Sequence, residues 1–320
     1  MPTMLGFAKS THRQLKSTVH YNALEILSLL GFTKSFPQPT RSIPNNTVNM
    51  KQLKQAAKLA LQKQTRLPFS IYSSVKEQRI ANVPIMKPML ICIFDGCKKL
   101  GMGKEMTCPT GSFVFLSNSP KVDIRNISEG HEYFALVIEF EYSDFDCFVR
   151  HEAQSQMYFQ GTMDSVFQNT LMQFIEWSCF APSELWTVRR QEILQMIYHL
   201  GYQEVTSMME PPSVSLKVHN IIRLHISDNL SVTSLAERLA MSESTLRRKL
   251  HSEGNSVQLI KDRAKLGYGL HLIQSTFEPI ARIAEQCGYQ SQSRFTDKFK
   301  QLFGITPTDI RKTRMHVLGE

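Results

Sequence analysis

The stretch that decides the fold of this chain is PIARIAEQCGYQSQSRFTDKFKQLFGITPTDIR, residues 279–311. Its first half has the apolar spacing i, i+3, i+4, i+7 of one helix face, at Ile280, Ile283, Ala284 and Cys287. Pro279 suits a first helical turn, Gly288 supplies a turn, and Ser291 can cap a second helix. That helix has its aromatic residues on one face, at Phe295, Phe299 and Phe303. The stretch predicts a helix-turn-helix unit.

The same pattern occurs earlier, in LAERLAMSESTLRRKLHSEG, residues 235–254. Ser234 and Glu237 read as a capping box for its first helix, and Ser242 as the cap of its second. Three pairs of equivalent positions are each separated by 49 residues, namely Ser242 and Ser291, Leu246 and Phe295, and Leu250 and Phe299. A helix at about 257–274 joins the units, and two such units reading one side of a duplex must lie one turn, ~34 Å, apart.

Packing of the apolar face leaves polar side chains free on each second helix. In the first unit they are Ser244, Thr245, Arg247, Arg248 and His251. In the second unit they are Gln292, Ser293, Arg294, Thr296 and Lys298. Arginine pairs with guanine and glutamine with adenine, while serine and threonine reach bases or phosphates. A single polar helix face of this kind is ordinarily just exposed to solvent. Two polar faces at equivalent positions of two units favour double-stranded DNA as the partner.

The charge distribution agrees with this interpretation. The net charge is +9, and residues 213–320 contribute 16 Lys and Arg against 10 Asp and Glu, leaving only +3 for the other 212 residues. A basic domain attracts polyanions. The helical repeat could instead bind a protein, and salt separates these hypotheses because only DNA binding through cations weakens steeply as salt rises.

On these residues, the C-terminal part resembles the AraC/XylS family of bacterial transcription regulators. The matching positions include Ser291, Phe295, Phe299, Lys300, Gly304, Pro307 and Arg311. With Leu246, Leu250 and Gly288, the positions Phe295, Phe299, Gly304 and Pro307 are expected to define the fold. The resemblance implies a DNA-binding regulator, more often an activator, that recruits or repositions RNA polymerase. Two departures stand out: Ile310 replaces a usual aromatic residue, and Lys265 and Gly269 replace Arg and Ala in the linker helix. Gly267 and Gly269 would each cost roughly 1 kcal/mol in that helix.

Upstream, short apolar runs between residues 67 and 142, such as MLICIF and YFALVIEFEY, predict strands of a small barrel or sandwich. Helices are predicted at about 23–30, 50–63, 166–178 and 183–200. The expected fold class is therefore α+β with two domains. We divide the chain into an N-terminal helical extension of unknown role (1–65), a regulatory domain (66–205), a linker containing Pro211 and Pro212 (206–213), and the double helix-turn-helix domain (214–320).

Residues 67–142 also resemble the regulatory domain of one group of these regulators, through IYSS, KPMLICIFDGCKKLGMG, CPTGSFVFLSNS and HEYFALVIEFE. The resemblance implies sensing of a small-molecule effector or dimerisation. The apolar residues between Val166 and Leu200 either form a homodimer interface or pack on the sandwich, and both alternatives stay open.

Other classes of protein find little support. No run approaches the ~20 apolar residues of a membrane span, and residues 1–20 do not read as a signal peptide, so we expect a cytoplasmic protein with no membrane partner. The six cysteines form no CxxC pair, against a zinc site or an alkyl-transferase domain. His131 with Glu129 and Glu132 is a weak metal set, and no G-x-S-x-G or phosphate-binding loop occurs. We expect no enzymatic activity, cofactor or metal.

Overall fold

The computed structural model describes residues 48–64, 66–85, 87–101, 105–118, 122–148, 157–208, 213–228 and 230–314. The helix expected at about 23–30 and the two linker prolines, Pro211 and Pro212, lie outside these ranges. No helix within them is both long enough and apolar enough to cross a membrane.

Within these ranges, nine strands form two antiparallel sheets. The strands are β1 (Ser70–Ser74), β2 (Gln78–Val83), β3 (Met89–Asp95), β4 (Cys97–Leu100), β5 (Met106–Cys108), β6 (Ser112–Leu116), β7 (Val122–Ile127), β8 (Tyr133–Glu139) and β9 (Tyr158–Thr162). The large sheet has the order β1-β8-β3-β6-β9 and the small sheet the order β2-β7-β4-β5. Of the two predicted alternatives, barrel and sandwich, the structure is an open sandwich, because no described strand closes one sheet onto the other.

The central strands of the large sheet are buried on both faces. One face of β3, with Leu90 and Cys92, packs in a core with helices, while its other face, with Ile91 and Ile93, points at the small sheet. Strands covered on both sides read as continuous apolar runs rather than alternating ones. This is why MLICIF, residues 89–94, does not alternate between apolar and polar residues.

In the described part of the chain, three helices share a core with the outer face of the large sheet: α1 (Met50–Lys63), α2 (Ser165–Ser178) and α3 (Trp186–His199). A capping box between Asn49 and Gln52 starts α1. Leu53, Ala57 and Ala60 of this helix are fully buried in the core of the sandwich. Our sequence-based division assigned α1 to a separate extension; since it packs in this core, we propose that the regulatory domain begins near residue 48.

The C-terminal helices are α4 (Val214–Leu224), α5 (Val232–Arg238), α6 (Glu243–Ser252), α7 (Val257–Ser275), α8 (Ile280–Gln286), α9 (Gln292–Phe303) and α10 (Pro307–Lys312). The capping box expected at Ser234 is wrong. Ser231 caps α5, since its side chain accepts a hydrogen bond from the Ser234 amide, so Ser234 lies inside the helix. Pro279 likewise stands one residue before α8.

The two helix-turn-helix units differ in their surroundings. The first unit has a core of its own with α4 and the start of α7, which includes Leu246 and Leu250. The second unit shares a core with the sandwich, where Phe299 and Phe303 belong to the same apolar cluster as Ile124 of β7. The regulatory domain is therefore packed against the second unit and the linker helix α7 rather than against the first unit.

The two glycines in α7 lie where other parts of the molecule approach closely. A Cβ atom on Gly269 would lie 2.8 Å from the Phe295 ring and 3.2 Å from the Cys287 sulfur. A Cβ atom on Gly267 would lie 3.0 Å from Cγ of Pro84, which belongs to the regulatory domain. Helix propensity is lower at these two positions. Glycine there leaves space for the Phe295 ring on one side of α7 and for Pro84 of the sandwich on the other.

Substitution of Gly269 by alanine is expected to lower the free energy of unfolding by roughly 1 kcal/mol net, because overpacking costs about 1–3 kcal/mol and helix propensity returns ~1 kcal/mol. The Phe295 ring is fully buried and contacts the rings of Tyr289 and Phe299, so it cannot swing aside. Urea denaturation measures the difference. Gly267→Ala, whose Cβ meets only Pro84, should be close to neutral. An alanine at 269 that stabilises the protein would contradict this account.

Candidate nucleic-acid interface

The first reading helix, α6, is capped by Ser242, whose hydroxyl accepts a 3.2 Å hydrogen bond from the Thr245 amide. Leu246 and Leu250 are buried, as expected. The outward side chains Ser244, Arg247, Arg248 and His251 are exposed. Thr245 is half-buried, and its hydroxyl accepts a 2.9 Å hydrogen bond from Ser242, so it is partly engaged in the cap.

Arg247 lies beside an acidic residue of the same helix. Its guanidinium is 4.0 Å from a carboxylate oxygen of Glu243, and its side chain is 63% exposed. A pair this long and exposed contributes little to stability, so it leaves Arg247 available to a stronger anion. The Glu243 carboxylate is also bonded by the hydroxyl of Thr233 on α5, which ties the two helices of the unit together.

The second reading helix, α9, starts at the cap of Ser291, whose hydroxyl accepts a 3.3 Å hydrogen bond from the Arg294 amide. Phe295, Phe299 and Phe303 are completely buried. The predicted base-reading residues Gln292, Ser293, Arg294 and Lys298 are exposed, and Thr296 is half-buried. Four of the five predicted side chains are therefore accessible, and Ser293, Arg294 and Lys298 lie away from the aromatic face of α9.

The turns explain three of the residues that were predicted to define the fold. Gly288 has φ +71, and a Cβ there would crowd backbone oxygens of Ile226 and Ser227 at 3.2 Å. Gly304 ends α9 in the left-handed conformation, and its amide donates to the Lys300 carbonyl. Pro307 then occupies the first turn of α10.

The two units are not identical at the turn. The first helices start 48 residues apart, at 232 and 280, while the reading helices start 49 apart, at 243 and 292. The second turn is therefore one residue longer. In the first unit the left-handed residue is Ala240, with φ 52, where a side chain costs about 1–2 kcal/mol.

Contacts between the regulatory domain and the second unit were not predicted from the sequence. The Tyr72 hydroxyl lies 3.0 Å from Nδ1 of His271 on α7, and Asn82 donates a 3.1 Å hydrogen bond to the Leu302 carbonyl of α9. The Val75 amide and the Gln78 side chain both donate to Thr313, after α10. No local motif marks these residues, because each partner lies about 200 or more positions away in the chain.

Of the weak metal set considered from the sequence, Glu132 forms ion pairs. Glu132 is 2.7 Å from the Lys54 ammonium and 3.0 Å from that of Lys58, both on α1. These lysines also lie over the Phe134 ring. The residue holds α1 against the sandwich instead of facing a ligand.

Two helix-turn-helix units joined by one long helix, each with a donor-rich helix turned outward, define a DNA-reading domain. Residues 235–313 match the family model described as a helix-turn-helix domain, and the curated relatives of this segment are AraC-family regulators. This part of the chain is thus similar to the helix-turn-helix domain of transcriptional regulators.

Three curated relatives illustrate the match. The HTH-type transcriptional regulator GadX of Escherichia coli O6:H1 is 32% identical over 101 residues, which are 32% of this chain and 37% of GadX. The transcriptional regulator SirC of Salmonella typhimurium is 35% identical over 100 residues, 31% of this chain and 34% of SirC. The HTH-type transcriptional regulator AdiY of Escherichia coli K12 is 32% identical over 94 residues, 29% of this chain and 37% of AdiY. The matched segment spans about a third of each relative.

A solved structure extends the likeness to the sandwich. Unsaturated fatty acid-bound ToxT from Vibrio cholerae has a TM-score of 0.58 and 16% sequence identity, with 80% of this chain and 99% of ToxT covered. At this identity the likeness concerns the fold. It places the same two-domain α+β arrangement in both proteins.

Proposed function

We propose that this protein is a sequence-specific DNA-binding transcription regulator, most simply an activator, that reads two adjacent major-groove segments with α6 and α9. One observation carries the proposal: both reading helices bury their apolar face completely and leave clustered donors exposed, in the same register of both units. Helix faces that are merely solvated have no reason to expose donors in the same register of both units. Two units that read one duplex do have that reason.

The residues divide by chemistry. Arg247, Arg248 and Arg294 have the paired donors suited to guanine, and Gln292 has the donor and acceptor suited to adenine. The remaining side chains are suited to phosphates or to either kind of contact: Ser244, Thr245, His251, Ser293, Thr296 and Lys298.

Regulation through the N-terminal domain is supported by a cavity between the two domains. A volume of about 190 Å³ lies between Lys87 and Glu139 of the sandwich and Arg263 and His271 of α7. A ligand there would touch both the sensing and the reading domain, which is the requirement for coupling them. The fatty acid held by ToxT, a protein of the same fold, supports a small-molecule effector here.

We further propose RNA polymerase as a partner and a homodimer through α2 and α3. Of the apolar residues predicted in this region, Ile193 and Ile197 are buried in the core, but Leu185 and Val188 stay 48% and 59% exposed, and neighbouring Phe180 is 76% exposed. This apolar face supports a self-association surface.

Replacement of Val188 by glutamate is expected to shift the protein from dimer to monomer, because a buried unpaired carboxylate opposes association. Light scattering after gel filtration at several concentrations measures the mass. Leu59→Glu, at a residue 46% exposed on α1, is the matched control and should leave the mass unchanged. A wild-type protein that is monomeric throughout would contradict the dimer.

The function is tested by selecting binding sites from random duplex DNA with the full-length chain, and by following affinity against salt. We expect a motif of two short blocks centred about 10 base pairs apart, and an affinity that falls steeply with salt through counterion release. If no motif emerges, the selection is repeated with residues 213–320. Enrichment then indicates that the regulatory domain restrains the reader, and a second failure of a segment shown by circular dichroism to be folded contradicts the proposal.

A further inference from the structure

The linker helix α7 belongs to two cores, one after the other. Its first half, through Val257, Ile260 and Ala264, packs in the core of the first helix-turn-helix unit. Its second half, from Leu266 onward, packs in the core that the second unit shares with the sandwich. Lys265 therefore occupies the point of α7 at which one core ends and the next begins.

The helix is a poor rigid spacer at this point. Gly267 and Gly269 follow within about one turn, and each lowers the helix propensity of α7 relative to alanine. Glycine also allows the backbone more conformations than any other residue. A change in the backbone of α7 between the two cores would turn one reading helix relative to the other. A second connection between the units would resist that movement.

The Lys265 side chain makes such a connection to the second unit. Its ammonium donates a 3.4 Å hydrogen bond to the Gly288 carbonyl, in the turn between α8 and α9. The Gly288 amide in turn donates a 2.8 Å hydrogen bond to the Glu285 carbonyl of α8, so this turn is fixed to its own unit. The ammonium is thus bound to the turn that precedes the second reading helix.

Carbonyl groups of the first unit lie at the same place. A Cβ atom on Gly288 would lie 2.9 Å from the ammonium nitrogen of Lys265. The same point is 3.2 Å from the carbonyl oxygens of Ile226 and Ser227. These two residues lie in the turn after α4, and the side chain of Ile226 packs against the core of the first unit. One ammonium therefore lies beside carbonyl oxygens of both units.

An ammonium in this position holds the two units together electrostatically. Carbonyl oxygens carry partial negative charge, so oxygens of two units that face each other repel, whereas an ammonium beside them attracts both. Hydrogen bonds from charged donors are also stronger than those between neutral groups. Gly288 leaves room for this contact, since any other residue would place its Cβ against the ammonium.

We propose that Lys265 is a positioning residue that sets the orientation of the first helix-turn-helix unit relative to the second, and through it the spacing of the two base blocks that the protein recognises. Lys265 contacts no base in this role; it acts through the turns that it joins. This proposal rests on the proposed function and names a residue that determines its specificity.

The spacing preference is measured with the full-length protein on its selected motif, using duplexes with one base pair added or removed between the two blocks. Each base pair moves a block by ~3.4 Å along the duplex and by roughly 35° around it. We expect the wild type to bind the selected spacing at least about tenfold more tightly than either altered spacing. In Lys265→Met this ratio should fall about fivefold, as when a partly exposed charged hydrogen bond is lost. Affinity for a duplex with a single block should not change.

Lys261→Met is the matched control, because Lys261 lies one turn earlier on α7, carries the same charge and is half-buried like Lys265. This variant should keep the spacing preference, and so should Lys265→Arg, which keeps the charge and the donors. Equal losses of the preference in the two methionine variants would overturn the proposal. A loss of affinity in Lys265→Met that is uniform over all spacings and single blocks would make Lys265 a phosphate contact, and this also overturns it.

A measurement without DNA separates this proposal from the proposed function. Spin labels at Ser252→Cys of α6 and Gln301→Cys of α9, both exposed positions, report the distance between the reading helices by double electron–electron resonance. The half-buried Cys147 and Cys179 are first replaced by alanine, so that they take no label. We expect a narrow distribution of distances with lysine or arginine at position 265, and a broader one in Lys265→Met.

An unchanged distribution in Lys265→Met overturns the bridge between the units, and a broader distribution with an unchanged spacing preference overturns its role in specificity. Should Lys265→Met fail to fold, Lys265→Gln, which loses the charge and shortens the side chain, takes its place with the same outcomes. A wild-type protein that selects no DNA site contradicts the proposed function, whereas the distances between the labels still decide whether Lys265 joins the two units.

Discussion

Replacing Phe299 with alanine is expected to lower the free energy of unfolding by about 3–5 kcal/mol, the usual cost of deleting a buried aromatic ring. Phe299 is completely buried, and its ring centroid lies 5.5 Å from that of Phe295 and 4.6 Å from that of Phe303. Because this core is shared with the sandwich, the loss should destabilise the second unit and the domain contact together. Urea denaturation followed by circular dichroism measures the change.

Leu224→Ala is the control, since an apolar side chain that is 74% exposed and lies outside the proposed dimer surface is truncated there. Its effect should stay within about 0.5 kcal/mol. Equal losses in the two variants would show that the aromatic stripe of α9 does not hold the unit together. In DNA binding, Phe299→Ala should weaken recognition of the motif block read by α9 more than recognition of the block read by α6.

Replacing Arg294 with alanine is expected to weaken binding to the selected site by about 1–3 kcal/mol, or roughly five- to 150-fold in Kd. Arg294 is exposed near the start of α9, where reading helices approach base edges. If it reads a base, the loss is confined to one or two positions of the motif. Titration of a panel of single-base variants measures this pattern.

Arg79→Ala removes the same charge from the sandwich, where the Arg79 side chain is 73% exposed and paired with Glu77. It controls for the general attraction of a basic protein to DNA and should leave both affinity and base preference nearly unchanged. If Arg294→Ala instead weakens binding equally for all sequences, Arg294 contacts a phosphate. In that case the affinity of the variant should also depend less steeply on salt.

Much of the reading domain could be predicted from local patterns. The spacing of Leu246 and Leu250, and of Phe295, Phe299 and Phe303, assigned the buried faces correctly because a helix repeats every 3.6 residues wherever it lies. The serine caps at Ser242 and Ser291 were also correct. The reading residues remain predictions about DNA contact.

Local patterns failed where two candidates compete for one role. Ser231 and Ser234 are both able to cap α5, and the backbone conformation decided for Ser231. The equal spacing of 49 residues concealed the longer second turn, because only the reading helices and not the first helices keep that spacing. The glycines of α7 read as a cost in the sequence, whereas Phe295 and Pro84 explain them in the structure.

By itself, the sequence determined the helix-turn-helix repeat, its buried faces and the strand-rich character of the upstream domain, because periodicity and capping are properties of neighbouring residues. Tertiary structure alone decided that α1 belongs to the sandwich core, that the second unit and not the first packs on that sandwich, and that Lys265 lies beside carbonyl oxygens of both units. These features join residues dozens to hundreds of positions apart. Which of them meet depends on how the sheets and helices pack, and no local pattern carries that information.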